Sequence, residues 1–160
     1  MKYLVCLFIL FSLTLKGQTF SLSDTTFKVN DIMRTYRIMP DINNNIYLMS
    51  ESRPFLDSLA IFLIKNKTLV LEVGRYLDSR GEDQRNLFLT QSHANAVIEY
   101  LVLERGINRK RLISVGYGET EPIVSKEKIK KMKDPATINL AHRINRRTEF
   151  KILKTDYSEK

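Results

Sequence analysis

The order of patterns along the chain predicts an α/β fold, one sheet with helices packed on one of its faces. Short apolar stretches rich in β-branched residues, "TLVLEVG" at 68–74 and "RKRLISVGYG" at 109–118, alternate with stretches whose apolar residues return at the helical period. A closing segment, "RRTEFKIL" at 146–153, alternates residue by residue, as a half-covered strand does, and belongs beside the sheet's interior. At 160 residues the chain fits a single core, and no repeat or low-complexity segment divides it.

The first element is a leader. Met1 and Lys2 give a positive start to "YLVCLFILFSL", an apolar run of about 11 residues that is too short for the ~20 of a spanning helix and has the build of a secretory signal. The polar break in "TLKGQTF" places cleavage near Gly17, which removes Cys6, the one cysteine. A thiol-free exported chain suits an oxidising compartment and excludes disulfides and cysteine-bound zinc. No transmembrane segment is expected in the mature chain. Losing Lys2 and Lys16 lowers the formal charge from +8 to +6.

"SLSDTTFKVND" is polar, and "IMRTYRIMPDI" is a weak first strand interrupted by Pro40, as at an edge. A turn at 43–45 follows. Phe55, Leu59, Phe62 and Leu63 predict a helix over 51–66, with Ser50 or Ser52 as its cap. The strand at 68–74 opens into a loop, "RYLDSRGED", hinged at Gly81. Leu87 or Leu89, then Ala94, Val97, Tyr100, Leu101 and Glu104, trace a second helix that Gly106 closes. After the strand at 109–118, residues 119–143 form a long connection in which "KEKIKKMK" adds a helical turn before Pro135 stops it. The expected divisions are a signal at 1–17, a short segment at 18–37, the domain at 38–155 and a tail at 156–160.

A basic chain suits an acidic partner: a carboxylate-rich polymer, anionic lipid or nucleic acid, the last disfavoured by export. The alternative is that the lysines only keep the surface soluble, and those at 126, 128, 130, 131 and 133 read as a solvated face. Catalysis finds no support: there is no defensible carboxylate pair or nucleophile motif, and His93 and His142 lack metal spacing. "GYG" at 116–118 lacks the glycine pattern of a phosphate loop, so no cofactor is expected.

One stretch carries binding chemistry. Asp78 lies in the glycine-hinged loop, and Asn86, Thr90 and His93 lie along the next helix, Asn86 and His93 two turns apart on one stripe. An acid facing a basic donor suits a ligand with both an ammonium and a carboxylate.

At these residues the chain resembles the OmpA-like peptidoglycan-binding domain, from about residue 38 to 153. The family pattern "G-x-H-T-D-S-x-G", "N-x-x-L-S-x-x-R-A", "G-Y-G-E-x-x-P" and "N-R-R-x-E" meets "GRYLDSRG", "NLFLTQSHA", "GYGETEP" and "NRRTE" here, in order. The resemblance implies a βαβαβ(α)β two-layer sandwich, a mixed sheet with helices on one face. It also implies a noncatalytic module of the periplasm, associated with the outer membrane, that grips the diaminopimelate of the peptidoglycan stem peptide. Asp78 falls on the acid that takes the ammonium, and His93 on the arginine that takes the carboxylate. Tyr76 and Leu77 stand where the pattern has histidine and threonine.

Exchanging an arginine fork for a neutral imidazole costs about 1.5–3 kcal/mol, a tenfold to hundredfold loss in affinity. Arg75, Arg80 or Arg85 can replace it if one swings into the cleft. On this reading His93→Arg tightens binding about tenfold, and acidifying toward pH 5.5 partly mimics it, because an imidazole titrates near about 6.5. Bland roles stand beside these. Asp78 pairs with Arg146, His93 is a packed histidine, Asn86 and Thr90 are helix-start caps, Asn145 and Arg146 fasten the last strand to the loop, and His142 is a surface residue. The whole chain then serves as a structural module that docks other envelope proteins.

Overall fold

The computed structural model describes residues 18–38 and 50–159. The leader with Cys6, Pro40 and the turn at 43–45 lie outside the described residues. Strand β1 runs Ile32–Thr35, α1 Arg53–Lys65, β2 Val70–Tyr76, α2 Asp83–Glu99, β3 Leu112–Gly118, α3 Lys126–Lys130, α4 Pro135–Asn145 and β4 Arg147–Lys154. The sheet order is β1-β4-β2-β3. β4 is antiparallel to both neighbours and β2 parallel to β3, so the sheet is mixed and its last strand is interior, as the sequence predicts. Among the described residues no helix is long and apolar enough to cross a membrane.

The register explains where the core sits. Val73 lies opposite Phe150 and Leu71 opposite Ile152, so alternation puts all four on one face. Against them α1 lays Leu56, Leu59 and Leu63, and α2 lays Ala94 and Val97, with Leu101 added from a π-helical turn at Tyr100–Glu104. Each of these leucines is fully buried, a contribution of about 1.5–3 kcal/mol apiece. Gly106, at φ 67°, closes the helix by donating to the carbonyl of Val102.

Residues ahead of position 38 also enter this core. Phe20 stacks on Phe62 at 5.9 Å between ring centres and meets Phe27 edge-on. The Ile32 amide donates to the carbonyl of Gln18 at 2.8 Å.

Three local expectations are corrected. Pro135 starts a helix instead of stopping one: Asp134 accepts from the amides of Ala136 and Thr137, and proline's missing N–H costs nothing in a first turn. The connection at 119–143 therefore contains α4. Leu87 is 51 % exposed and Leu89 only partly buried; the inward stripe of α2 begins instead with Asn86 and Thr90. The cause is the close approach of α2 to β3, where Thr90 Oγ1 accepts from the Gly118 amide at 2.9 Å and leaves no room for a leucine. Ser52 stands at the N-cap of α1 but its side chain makes no capping bond, because a 3₁₀ turn at Ser50–Ser52 leads in and Pro54 removes one amide needing an acceptor.

Candidate functional site

β2 ends at Tyr76, two residues further than the apolar pattern suggests, and this sets the site. Because the strand continues, Arg75 shares the helix-covered face with Leu71 and Val73. It is buried, donates from Nη1 to Thr148 Oγ1 at 3.0 Å, and has no partner at Nε. Burial, then repulsion from Arg146, pulls its guanidinium down to about 10. Tyr76 stacks on Tyr117 with ring centres 4.5 Å apart, and the Arg147 guanidinium caps it 3.7 Å from the ring centre. The Leu77 amide then donates to the carbonyl of Gly118 at 2.7 Å, which places Asp78 just beyond the sheet edge.

Asp78 is buried and fully engaged. Arg80 grips it with a two-pronged contact, Nε to Oδ1 at 2.8 Å and Nη2 to Oδ2 at 2.9 Å, and its own amide also donates to Oδ1. Arg146, the residue after α4, donates from Nη1 to Oδ2. His142 Nδ1 lies 3.5 Å from Oδ1 without forming a hydrogen bond. Burial pushes the Asp78 carboxyl up, but the contacts from Arg80 and Arg146 outweigh it and hold the group below the usual carboxylate range.

The structure thus brings Asp78 and Arg146 into direct contact. Asn86 joins them at one remove, donating from Nδ2 to the Arg80 carbonyl at 3.3 Å and to Glu119 at 3.4 Å. Thr90 donates to the carbonyls of Asn86 and Leu87 and accepts from Gly118, fixing helix to strand. His93 is buried with no partner at Nδ1. Burial, then the charge of Arg75, pulls its imidazole down to about 4. It is therefore neutral at pH 5.5, and acidification to that value cannot supply the missing charge.

Of the three arginines able to replace the helix arginine, Arg80 takes the cleft, Arg75 lies beneath it and Arg85 is exposed. Asn145 bonds both ways with the backbone of Val124 and so fastens α4 to the preceding connection instead of the loop. His142, expected at the surface, is buried against Asp78. Sequence reasoning also missed Arg143. Both belong to α4, and the signal was present in "DPAT", an N-cap aspartate followed by proline at the first helical position.

Above these groups lies a cleft of ≈ 400 Å³ lined by Arg80, Ala136, Asn139, Leu140, Arg143 and Arg146. A recess of ≈ 190 Å³ over Asp78 shares Arg80 and Arg146 with it. Among the described residues Arg143 has no hydrogen-bond or ion-pair partner. The cleft thus carries three guanidiniums and the recess beside it one carboxylate, so the region is cationic. The lysines of the α3 region are all exposed, as a solvated face should be.

Comparisons with known proteins find similar sequences and a shared fold. Among the relatives that match part of the chain, a peptidoglycan-associated lipoprotein of Buchnera aphidicola is 30% identical over 80 residues, 50% of this chain and 46% of that protein. Outer membrane porin F of Pseudomonas aeruginosa is 34% identical over 97 residues, 61% of this chain and 25% of the porin. The chain thus spans less than half the length of either. The crystal structure of the peptidoglycan-associated lipoprotein from Burkholderia pseudomallei shares the fold, with a TM-score of 0.56 at 22% identity over 72% of this chain and 87% of that one. Residues 43–134, which carry the Asp78 loop, α2 and the "GYGETEP" turn, match the OmpA family model, and the chain belongs to the OmpA family.

Proposed function

We propose that the protein is a noncatalytic module of the cell envelope that binds peptidoglycan, holding the diaminopimelate residue of the stem peptide over the Asp78 loop. The observation that carries this reading is the buried Asp78 at the floor of a cleft walled by Arg80 and Arg146, in a chain of this family. The named relatives include a peptidoglycan-associated lipoprotein, which supports the ligand class. Export into the periplasm, by the leader at 1–17, supplies access to the polymer. Arg80 and Arg146 face the ligand, Asp78 holds both of them from beneath, and Asn86 and Thr90 act by holding the loop and helix in place. His93 contributes packing, since a buried neutral ring next to Arg75 offers the ligand no charge.

The test is co-sedimentation with purified diaminopimelate-containing sacculi. The protein is expected to pellet with them more than an unrelated protein of equal size and charge does. Because Arg80 and Arg146 side chains are 56% and 37% exposed, their contacts are open to screening. Binding is expected to be lost toward about 1 M salt, where the screening length is about 3 Å. Retention no better than that of the control protein favours the docking reading, which draws on Leu87 and Phe88, 51% and 67% exposed at the start of α2.

A further inference from the structure

We infer that the cleft recognises its ligand by carboxylates alone, with Asp78 acting as an internal counterion that aims Arg80 and Arg146 and not as a receptor for an ammonium. This rests on the peptidoglycan reading for the identity of the acid, but the chemistry follows from the cleft itself. Both Asp78 oxygens already accept from guanidiniums, Oδ1 from the Arg80 side chain and amide, and Oδ2 from Arg80 and Arg146. An incoming ammonium would have to displace a bidentate charged pair that is itself buried at the acid end.

The guanidiniums, in contrast, have capacity left. Each carries five N–H donors; Arg80 uses Nε and Nη2, Arg146 uses Nη1, and Arg143 uses none within the described residues. The three line one cleft with one another, and its remaining wall is short and mostly apolar: Ala136, Leu140 and the Asn139 amide. This shape and charge suit a carboxylate carried on a short aliphatic stem, such as an acidic amino-acid side chain in a peptide. The third guanidinium comes from α4 and not from α2, where His93 stands at the position of the family pattern's arginine.

The test titrates the protein, by arginine side-chain and backbone NMR, with glutarate, with cadaverine and with inorganic phosphate. Glutarate is expected to shift the side-chain N–H signals of Arg80, Arg143 and Arg146, and cadaverine to leave residues 77–81 unchanged. Arg143→Gln, at an exposed position, is expected to weaken glutarate binding about tenfold, the size of one charged hydrogen bond. Asp78→Asn, once circular dichroism shows it folded, is expected to retain glutarate binding, because removing the negative charge beside the cleft offsets the looser aim of Arg80 and Arg146. The inference is overturned if Arg143→Gln binds glutarate like the parent, if cadaverine shifts the Asp78 loop and glutarate does not, or if phosphate binds as tightly as glutarate. Loss of sacculus binding with glutarate binding intact would sink the peptidoglycan reading and leave this one standing. Sacculus binding that is intact and indifferent to Arg143 would do the reverse.

Discussion

Gly116→Ala is expected to destabilise the protein by about 3 kcal/mol or more, the upper range for overpacking a well-filled site. A Cβ at this position would lie 2.3 Å from the Gln91 amide nitrogen and 2.7 Å from the Gln91 Cα. Both are backbone atoms of α2, so no side chain can swing aside and the helix must move as a body. That shift would also stretch the Gly116 amide's bond to Gln91 Oε1 and the Gly118 amide's bond to Thr90, each 2.9 Å. Since Asn86 on the same helix holds the Arg80 carbonyl, the loop that carries Asp78 would loosen with it. Urea denaturation measures the effect, and a variant within about 1 kcal/mol of the parent would mean that α2 does not rest on β3 as described.

A second large effect concerns acid. His93 is neutral in the fold, its imidazole pulled to about 4 by burial and then by Arg75, whereas an unfolded histidine titrates near about 6.5. Between those values the unfolded chain binds the extra proton, so the stabilisation is present above about pH 6.5 and is lost as pH falls toward about 4. The loss is expected to be on the order of 2–3 kcal/mol. Asp78 and Glu149, both held below the usual carboxylate range, act in the same direction, but at lower pH than the first part of this window. Comparing urea midpoints at pH 7 and pH 5 isolates the histidine, and His93→Gln is expected to flatten the difference. An equal slope in both proteins would show that His93 is not the group responsible. The same neighbour changes the outlook for His93→Arg. A second permanent charge beside buried Arg75 is expected to cost stability before it can contribute to binding, so the tenfold gain inferred from the family pattern is not expected in that single variant.

The sheet and the two long helices were legible because their apolar residues keep a period that solvent exclusion imposes directly. The Asp78–Arg146 pair was legible as well, since motif order placed both at the loop. What could not be read depended on where a strand stops and which residues a partner helix covers. Taking 75–83 wholly as loop left Arg75 able to swing into the cleft, whereas two more residues of β2 turn it into the core and leave His93 without a charge to offer. Reading Pro135 as a stop hid α4, and with it His142, which packs against Asp78, and Arg143, which lines the cleft. Leu87 misled for a different reason: the stripe on α2 is set by the glycines of β3, and so by a neighbour far away in sequence.

The most direct test of the central claim is an NMR titration of the protein with a soluble diaminopimelate-containing muropeptide, set against its lysine-containing counterpart. The account predicts shifts confined to Leu77–Arg80 and Asn139–Arg146, with the lysine form, which lacks the side-chain carboxylate, binding about tenfold more weakly or worse. Shifts that avoid both segments, or that fall only on the exposed lysines of 126–133, would contradict it.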